Sequence, residues 1–493
     1  MKSVAILGGG ISGLVAAYEC QKLGLDWHLY EASDRLGGIL QTTLLDTSEG
    51  RFVIEGGPDG WVTEKPWMRE LVAELGLESE LISSKDATRK TYILKDGTLQ
   101  PIPDGMRMMV PTNLAALEDS PLFTAEGRRA YAEEITRAEE LKASAPQHDE
   151  SVADFVRRHF GNEVLDTLAA PLLSGVFGGD VHKLSVRAVM PQFVAMEREH
   201  GSLITALQQK QQQTQLRSTG VQFSNSLFTS LRNGMGSLVD ALVATLPAER
   251  LHLNRRIDGL QLADEEEWTL FWQDGTRQQA TTCEQLIVAT SLDSARKLLA
   301  PLDRVQTTLL PSAGSFSSLM PTAASSAVLA AFTWPAELAQ QFDVPSGFGF
   351  LVPPQLSPKP YTLNPAPSLL ACTFVDQKYP ERVPEGARIL RAFFGGDAAA
   401  NLMSASDTAV ATAALAQLRS ILGPLPEPTH TEVRRVPRSL PQYEVGHLER
   451  IAQLDELIAA CPGLHVLGNS YRGVGLPDLI RDARATVRSL GNN

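Results

Sequence analysis

Cysteine is scarce in this sequence. The 493 residues contain only four cysteines, which lie far apart without a Cys-x-x-Cys pair: Cys20, Cys283, Cys372 and Cys461. This spacing argues against a disulfide framework and against a metal site, and it favours a reducing compartment. We expect the four side chains to be small residues of the core, and the protein to hold no metal.

Long hydrophobic runs are absent as well. Stretches such as residues 327–332 fall far short of the ~20 residues that a helix needs to span a bilayer. The first predicted strand begins within the first three residues, so we expect no signal or transit peptide. The sequence therefore predicts a cytoplasmic protein, attached at most to the inner face of the plasma membrane.

Basic residues are outnumbered by acidic ones. The chain has 44 Lys and Arg against 57 Asp and Glu, a net charge of −13, and it shows no basic run. This balance argues against a nucleic-acid partner. The hydrophobic fraction of 43% and the charged fraction of 20% are ordinary for a globular enzyme, and the length suggests two to four domains.

The first 38 residues predict a nucleotide-binding unit. Residues 2–7 form a predicted strand, residues 14–23 a helix with apolar side chains near one face, and residues 27–30 a second strand that ends at Glu31. A Gly-x-Gly-x-x-Gly turn joins the first strand to the helix: Gly8, Gly9, Gly10, Ile11, Ser12 and Gly13.

Each part of this turn suits a dinucleotide. Gly8 permits a sharp turn, Gly10 lets the backbone approach a pyrophosphate, and Gly13 lets helix and strand pack closely. The helix N-terminus adds partial positive charge. Glu31 lies about 20 residues after the turn, where a carboxylate accepts hydrogen bonds from the ribose hydroxyls and disfavours the 2′-phosphate of NADP.

Residues 35–38 read Arg-Leu-Gly-Gly and resemble the Arg-x-Gly-Gly extension of the flavin amine-oxidase superfamily. The resemblance implies FAD, held without a covalent bond because the C-terminal flavin loop has no cysteine. It places the Gly57–Gly60 loop beside the isoalloxazine ring and the backbone of Ile257 at the adenine. Beyond the turn, the positions that it assigns to FAD are Glu31, Ala32, Arg35, Gly37, Gly38, Ile39, Gly57, Pro58, Asp59, Gly60, Ile257, Val474, Gly475 and Leu476.

Two further segments restrict the resemblance from this superfamily to a single family. Residues 171–180, followed by Lys183-Leu184-Ser185, and the Pro-Gln-Tyr-x-x-Gly-His of residues 441–447 are similar to segments of the protoporphyrinogen and coproporphyrinogen oxidases. Membership would imply FAD-dependent oxidation of protoporphyrinogen IX, a step of haem biosynthesis. O2 would reoxidise the flavin to give H2O2, and ferrochelatase would act next. The alternatives are coproporphyrinogen III as substrate, another flavin amine oxidase or desaturase, and a non-catalytic escort protein.

The resemblance also implies where the substrate binds. Since FAD carries the chemistry, no catalytic acid or base is expected. Arg89 or Lys90 is the predicted partner of a substrate propionate, although the family places an arginine where this chain has Thr91. Phe350 and Leu351 are predicted to line an apolar cavity, with Tyr379 next to the substrate ring.

The order of predicted elements indicates an α/β fold with three parts. A Rossmann-like FAD-binding domain would comprise residues 1–86, 225–298 and 428–493, and a strand-rich substrate domain residues 87–105 and 299–427. Residues 106–224 would form a helical insertion without strands. Its apolar segments, 106–111 and 114–122, suit either a membrane surface or a core helix, which stays open here. A homodimer is an expectation of the family.

Overall fold

The computed structural model describes residues 2–217, 226–263, 267–303, 314–354 and 368–491. The predicted domain boundary at 224/225 lies outside the described residues. The first sheet has five parallel strands. In order across the sheet, they are Leu251–His252, Asp26–Tyr30, Ser3–Leu7, Gln285–Val288 and Leu464–Val466.

The predicted strand, turn, helix and strand at the start of the chain are confirmed. The helix, Ile11–Lys22, begins earlier than its apolar pattern indicated, because the Gly10 carbonyl already accepts the Leu14 N–H at 2.9 Å and closes the first turn. The C-terminal helix Leu476–Gly491 packs against it. Leu14 and Ala17 are fully buried in a hydrophobic core that also contains Leu479 and Ile480 of the C-terminal helix, so burial of apolar side chains holds the unit together.

A second sheet has seven strands. In order, they are His430–Pro441, Ala324–Trp334, Arg388–Phe394, Ala371–Phe374, Gly349–Leu351, Thr91–Lys95 and Thr98–Pro101. Only the pairing of Gly349–Leu351 with Thr91–Lys95 is parallel among these described strands. The helix Asp407–Leu422 covers one face and buries Val410, Ala414 and Leu418.

The edge strand His430–Pro441 was not predicted. The sequence assigned residues 428–493 to the FAD-binding domain, whereas this strand pairs with Ala324–Trp334 of the seven-stranded sheet. Its charged side chains and Pro437 interrupt the alternation of apolar and polar residues by which a strand is predicted. Proline is tolerated here because the strand lies at the edge of the sheet.

The insertion is helical as predicted. One short pair of strands, Met106–Arg107 with Val110–Pro111, departs from the expectation that it has none. Its segments 106–111 and 114–122 bury Met109, Val110, Leu117 and Leu122 in the insertion's own core, so these side chains serve packing. The helices are Ala115–Glu118, Ala125–Thr136, Ala138–Ala143, Val152–Val164, the π-helical Leu165–Ala169, Ala170–Phe177, Val186–Val189, Pro191–His200 and Leu203–Arg217.

Smaller sheets and helices connect these parts. The remaining strands pair as Thr42–Thr47 with Gly50–Glu55; Trp61–Val62, Phe228–Leu231 and Leu81–Ser83; and Ile257–Leu262, Trp268–Asp274 and Arg277–Cys283. The remaining α-helices are Pro66–Glu74, Gly236–Ala244, Leu292–Leu299, Phe316–Leu319, Ala336–Ala339, Val375–Lys378, Gly396–Leu402 and His447–Ala459. All four cysteines are buried, as predicted. Across the described ranges, every helix is too short or too polar to cross a membrane.

Candidate active site

A cavity of about 660 Å³ lies at the carboxyl end of the parallel sheet. This is where open parallel sheets bind ligands. The structure brings most of the predicted FAD residues together in its lining, with four exceptions: Gly9, Gly13, Arg35 and Gly57. The predicted residues that line it are Gly8, Gly10, Ile11, Ser12, Glu31, Ala32, Gly37, Gly38, Ile39, Pro58, Asp59, Gly60, Ile257, Val474, Gly475 and Leu476.

The nucleotide end of the cavity is built from the turn of residues 8–13 and Glu31. Its glycines are of two kinds: some are required because backbone atoms pack against them, and one faces open space. Gly8 has φ +101°, and a Cβ there would lie 2.5 Å from the Ala289 carbonyl oxygen. A Cβ on Gly13 would overlap the Gly8 carbonyl oxygen. Gly10 instead has no atom within 4 Å of an added Cβ, so its backbone opens onto the cavity, as a pyrophosphate site requires.

Hydrogen bonds hold the Glu31 carboxylate in place at the end of its strand. Oε2 accepts from the Gly9 N–H at 2.6 Å, and Oε1 accepts from the Ser33 N–H and hydroxyl, both at 2.8 Å. These donors fix the orientation of an acceptor at the cavity wall. The arrangement suits recognition of ribose hydroxyls.

The arginine and glycine loop lies against the first turn. The Gly37 N–H donates to the Gly9 carbonyl at 2.8 Å. Arg35 donates to the carbonyls of Leu36, at 3.2 Å, and of Gly38, so it braces its own loop rather than lining the cavity. A Cβ on Gly57 would overlap the Ile39 carbonyl oxygen, which explains a glycine there without direct exposure to the cavity.

The opposite end, which we call the lysine end, is formed by Lys65, Phe228 and Lys378 of the lining. The Lys378 ammonium lies 4.7 Å from the centre of the Phe228 ring and 3.0 Å from both Asp59 carboxylate oxygens. Lys65 Nζ lies 2.5 Å from the Asp478 carboxylate. None of these three residues is predicted from the sequence, because nothing in the neighbouring residues marks them.

A buried charge cluster supports this end. Arg391 Nη1 lies 3.4 Å from the Asp59 carboxylate, and Arg382, which is fully buried, lies 3.0 Å from the Glu55 carboxylate. Burial alone would raise the pKa of Asp59, but the charges of Lys378 and Arg391 outweigh it and hold this pKa below its usual value. Burial lowers the pKa of Lys378, and Asp59 opposes that effect. The cluster therefore keeps the Asp59 carboxylate ionised.

The predicted substrate residues do not line the cavity. Phe350 and Leu351 are neighbours on one strand and so face opposite sides of the sheet: Phe350 is buried in the sheet's core, and Leu351 packs on the insertion. Tyr379 is fully buried, with its hydroxyl behind Gly60. Arg89 pairs with Asp86 at 3.1 Å on the surface.

Lys90 lies beside Arg89, and its side chain is exposed. Its carbonyl accepts the Phe348 N–H at 2.7 Å. Neither cation is part of the cavity's lining. A propionate contact at Arg89 or Lys90 therefore stays a prediction that this geometry does not favour.

Comparison with known proteins gives the family. The family described as flavin containing amine oxidoreductase matches residues 11–490. Coproporphyrinogen III oxidase of Bacillus subtilis is 31% identical over 496 residues, covering 99% of this chain and 97% of the relative. The chain belongs to the flavin-containing amine oxidoreductases, in their protoporphyrinogen and coproporphyrinogen oxidase family. It is therefore an FAD enzyme and an oxidase.

One more relative and two solved structures are also similar to this chain. Protoporphyrinogen oxidase 2 of Arabidopsis thaliana is 25% identical, covering 96% of this chain and 91% of the relative. A crystal structure from Exiguobacterium sp. 255-15, provisionally named a protoporphyrinogen oxidase, covers 100% of this chain and 99% of that one, with a TM-score of 0.77 and 28% identity. Reduced UDP-galactopyranose mutase, at 16% identity and a TM-score of 0.67, shows the fold alone.

The residues present fit FAD. The open Gly10 backbone and the helix that begins at Ile11 suit the diphosphate, the oriented Glu31 carboxylate suits the ribose, and the lysine end suits the flavin ring. When bound, FAD supplies the acceptor of the substrate's electrons. In the described part of the lining there is no histidine or cysteine.

Proposed function

We propose that the enzyme oxidises coproporphyrinogen III to coproporphyrin III, with O2 as the acceptor and H2O2 as the second product. The observation that carries this proposal is the likeness to coproporphyrinogen III oxidases over nearly the whole chain, at 31% identity for Bacillus subtilis and 28% for Staphylococcus aureus. It reverses the preference for protoporphyrinogen IX that the sequence alone suggested.

The walls of the cavity suit a macrocycle of this kind. Ile39 and Val62, which are 39% and 40% exposed, line it together with Phe228. Such apolar groups can hold a porphyrinogen ring away from water and keep one bridge carbon in position. Lys65 and Lys378 are cations at the same end and are the candidates to meet substrate carboxylates.

Protoporphyrinogen IX is the second candidate. It is favoured by the likeness to two Arabidopsis thaliana protoporphyrinogen oxidases, at 25% and 26% identity. The two substrates differ in their number of carboxylates, which is four for coproporphyrinogen III and two for protoporphyrinogen IX. The enzyme's preference therefore depends on how many cations reach the bound ring.

The deciding experiment is a direct competition. Each porphyrinogen is prepared without oxygen and added to the FAD-loaded enzyme in air, and porphyrin fluorescence and peroxide are followed. We expect a higher kcat/KM for coproporphyrinogen III. A higher value for protoporphyrinogen IX would overturn the substrate, and oxidation of neither substrate by protein that holds FAD would overturn the proposed reaction.

Location and partners are part of the proposal. We propose a cytoplasmic enzyme, with membrane-surface contact, a homodimer and a ferrochelatase partner as the family's expectations. Complete recovery of the protein in the soluble fraction after flotation with liposomes, with and without anionic lipid, would contradict surface contact. Light scattering of the purified protein gives the oligomeric state.

A further inference from the structure

Residues 439–447, which we call the joint, lie between the helical insertion and the C-terminal flavin loop, residues 468–476. The joint contains the Pro-Gln-Tyr-x-x-Gly-His sequence, to which the site described above assigns no task. It contacts both of its neighbours through hydrogen bonds. The structure therefore places one segment in a position to fix the insertion and the flavin loop relative to each other.

Backbone hydrogen bonds tie the joint to the insertion. Gln442 adds a side-chain bond, from its amide nitrogen to the Phe177 carbonyl at 3.0 Å, so the joint also holds the glycine loop of residues 174–180. The main contacts are Ser185 N–H to the Tyr443 carbonyl at 2.7 Å, Val445 N–H to the Lys183 carbonyl at 2.9 Å, and Gly446 N–H to the Asp149 carboxylate at 2.9 Å.

Tyr443 and His447 tie the joint to the flavin loop. The Tyr443 hydroxyl donates to the Asn469 carbonyl at 2.6 Å and accepts the Gly473 N–H at 2.9 Å. His447 Nε2 lies 2.9 Å from the Tyr471 carbonyl. The rings of Tyr443 and His447 stack with their centroids 3.9 Å apart, and both are buried.

We propose that Tyr443 is a positioning residue for the FAD site, which holds the flavin loop in its binding conformation and couples that loop to the helical insertion. Gly473 directly precedes Val474, Gly475 and Leu476, which line the cavity. A hydroxyl that satisfies one donor and one acceptor fixes the loop on both sides of its turn. This inference rests on FAD and is independent of which porphyrinogen is oxidised.

The test compares Tyr443, which contacts the flavin loop from the joint, with Tyr471, which lies within that loop. Tyr443→Phe keeps the ring stacked on His447 and removes only the hydroxyl and its two hydrogen bonds. Tyr471→Phe is the matched control, since the Tyr471 hydroxyl is also buried but has no hydrogen-bond partner in the described structure. Folded apoprotein of each variant is titrated with FAD, and flavin fluorescence gives the dissociation constant.

We expect FAD to bind about tenfold more weakly to Tyr443→Phe, the effect of leaving one backbone N–H without its acceptor, and within twofold of the unmodified protein for Tyr471→Phe. Amide exchange across residues 470–476 should also quicken in Tyr443→Phe. Unchanged FAD affinity in Tyr443→Phe, even with a lower melting temperature of the apoprotein, would overturn the proposal, because it would show a merely structural role.

Coupling to the insertion is tested with Asp149→Ala, which removes the acceptor of the Gly446 N–H. We expect a few-fold weaker FAD binding, and a double variant with Tyr443→Phe no weaker than Tyr443→Phe alone, since both changes release one unit. Asp154→Ala is the control, because Asp154 bonds within the insertion to Ser151 and Arg157. Effects that multiply in the double variant would overturn the coupling.

Discussion

The two ends of the flavin cavity are built in different ways. At the nucleotide end, residues 8–13 and Glu31 come from one short stretch of chain and present mostly backbone groups. At the lysine end, Lys65, Phe228 and Lys378 come from distant parts of the sequence and present side chains. The first end depends on the path of the backbone, and the second depends on balanced buried charge.

The difference determines which substitutions each end tolerates. A glycine turn fails when a side chain meets the backbone that packs against it. A buried ion pair fails when one partner is removed, because the other charge then remains without water or counter-ion. We therefore expect substitutions at the two ends to differ in how they change folding stability and FAD binding.

The largest effect is expected at Lys378. Lys378→Met removes the nearer cation from the Asp59 carboxylate in a pair whose side chains are only 12% and 17% exposed. Because Arg391 remains 3.4 Å from this carboxylate, we expect the free energy of unfolding to fall by about 3 kcal/mol, the lower end of the range for a broken buried pair. Chemical denaturation of the apoprotein measures this change.

Lys65→Met is the control, since the Lys65 side chain is 44% exposed against 12% for Lys378. Its partner Asp478 is 8% exposed but keeps Arg481 at 3.4 Å, so we expect a loss of about 1 kcal/mol. Equal losses would contradict the contrast.

Asp376, which is buried beside Arg388 at 3.5 Å, tests a second buried charge through pH. Burial raises the pKa of Asp376 to about 6 from 3.8, with Arg388 opposing only in part. Because the folded pKa lies above the unfolded one, the neutral carboxyl favours folding, and this contribution is lost as pH rises from about 4 to above 6. Asp376→Asn should therefore stabilise the protein by roughly 2–3 kcal/mol at pH 8.

The same substitution should have almost no effect near pH 3, where the carboxyl is neutral in both the folded and the unfolded protein. Melting temperatures of both proteins across this pH range provide the check. A constant difference between them at every pH would show that Asp376 does not titrate in this range.

At the nucleotide end, substitution of two glycines should affect different properties: the stability of the apoprotein for Gly13 and the affinity for FAD for Gly10. Gly13→Ala forces a Cβ onto the Gly8 carbonyl, so we expect the apoprotein to lose about 1–3 kcal/mol of stability. Gly10→Ala meets no protein atom within 4 Å and should leave the apoprotein unchanged while weakening FAD binding at least about tenfold. Apoprotein denaturation and FAD titration separate the two. Normal FAD affinity in Gly10→Ala would contradict the role of its open backbone.

The same contrast explains what could be predicted from the sequence. The turn of residues 8–13 and the strand that ends at Glu31 follow from local residue patterns, and the structure confirms them. The roles of Lys65 and Lys378 could not be found, because each depends on a carboxylate that is distant in sequence: Asp478 for Lys65 and Asp59 for Lys378. The edge strand His430–Pro441 was missed because its pairing, and not its composition, makes it a strand.

The smallest effect is expected at the cations that the sequence selected. If Arg89 or Lys90 held a substrate propionate, their joint replacement by alanine would raise KM about tenfold or more, the cost of a lost charge-assisted hydrogen bond. The structure places both side chains on the surface and outside the cavity's lining. We therefore expect KM and kcat to change by less than about twofold in steady-state assays.

Lys65→Ala, measured in the same assay, supplies the comparison for this last prediction. Lys65 lines the cavity at the lysine end, so its removal should raise KM for the substrate with more carboxylates more than for the other. A large rise in KM for the Arg89 and Lys90 double variant would instead mean that substrate binding draws the start of the Thr91–Lys95 strand towards the cavity. The lysine end would then extend further than the described lining.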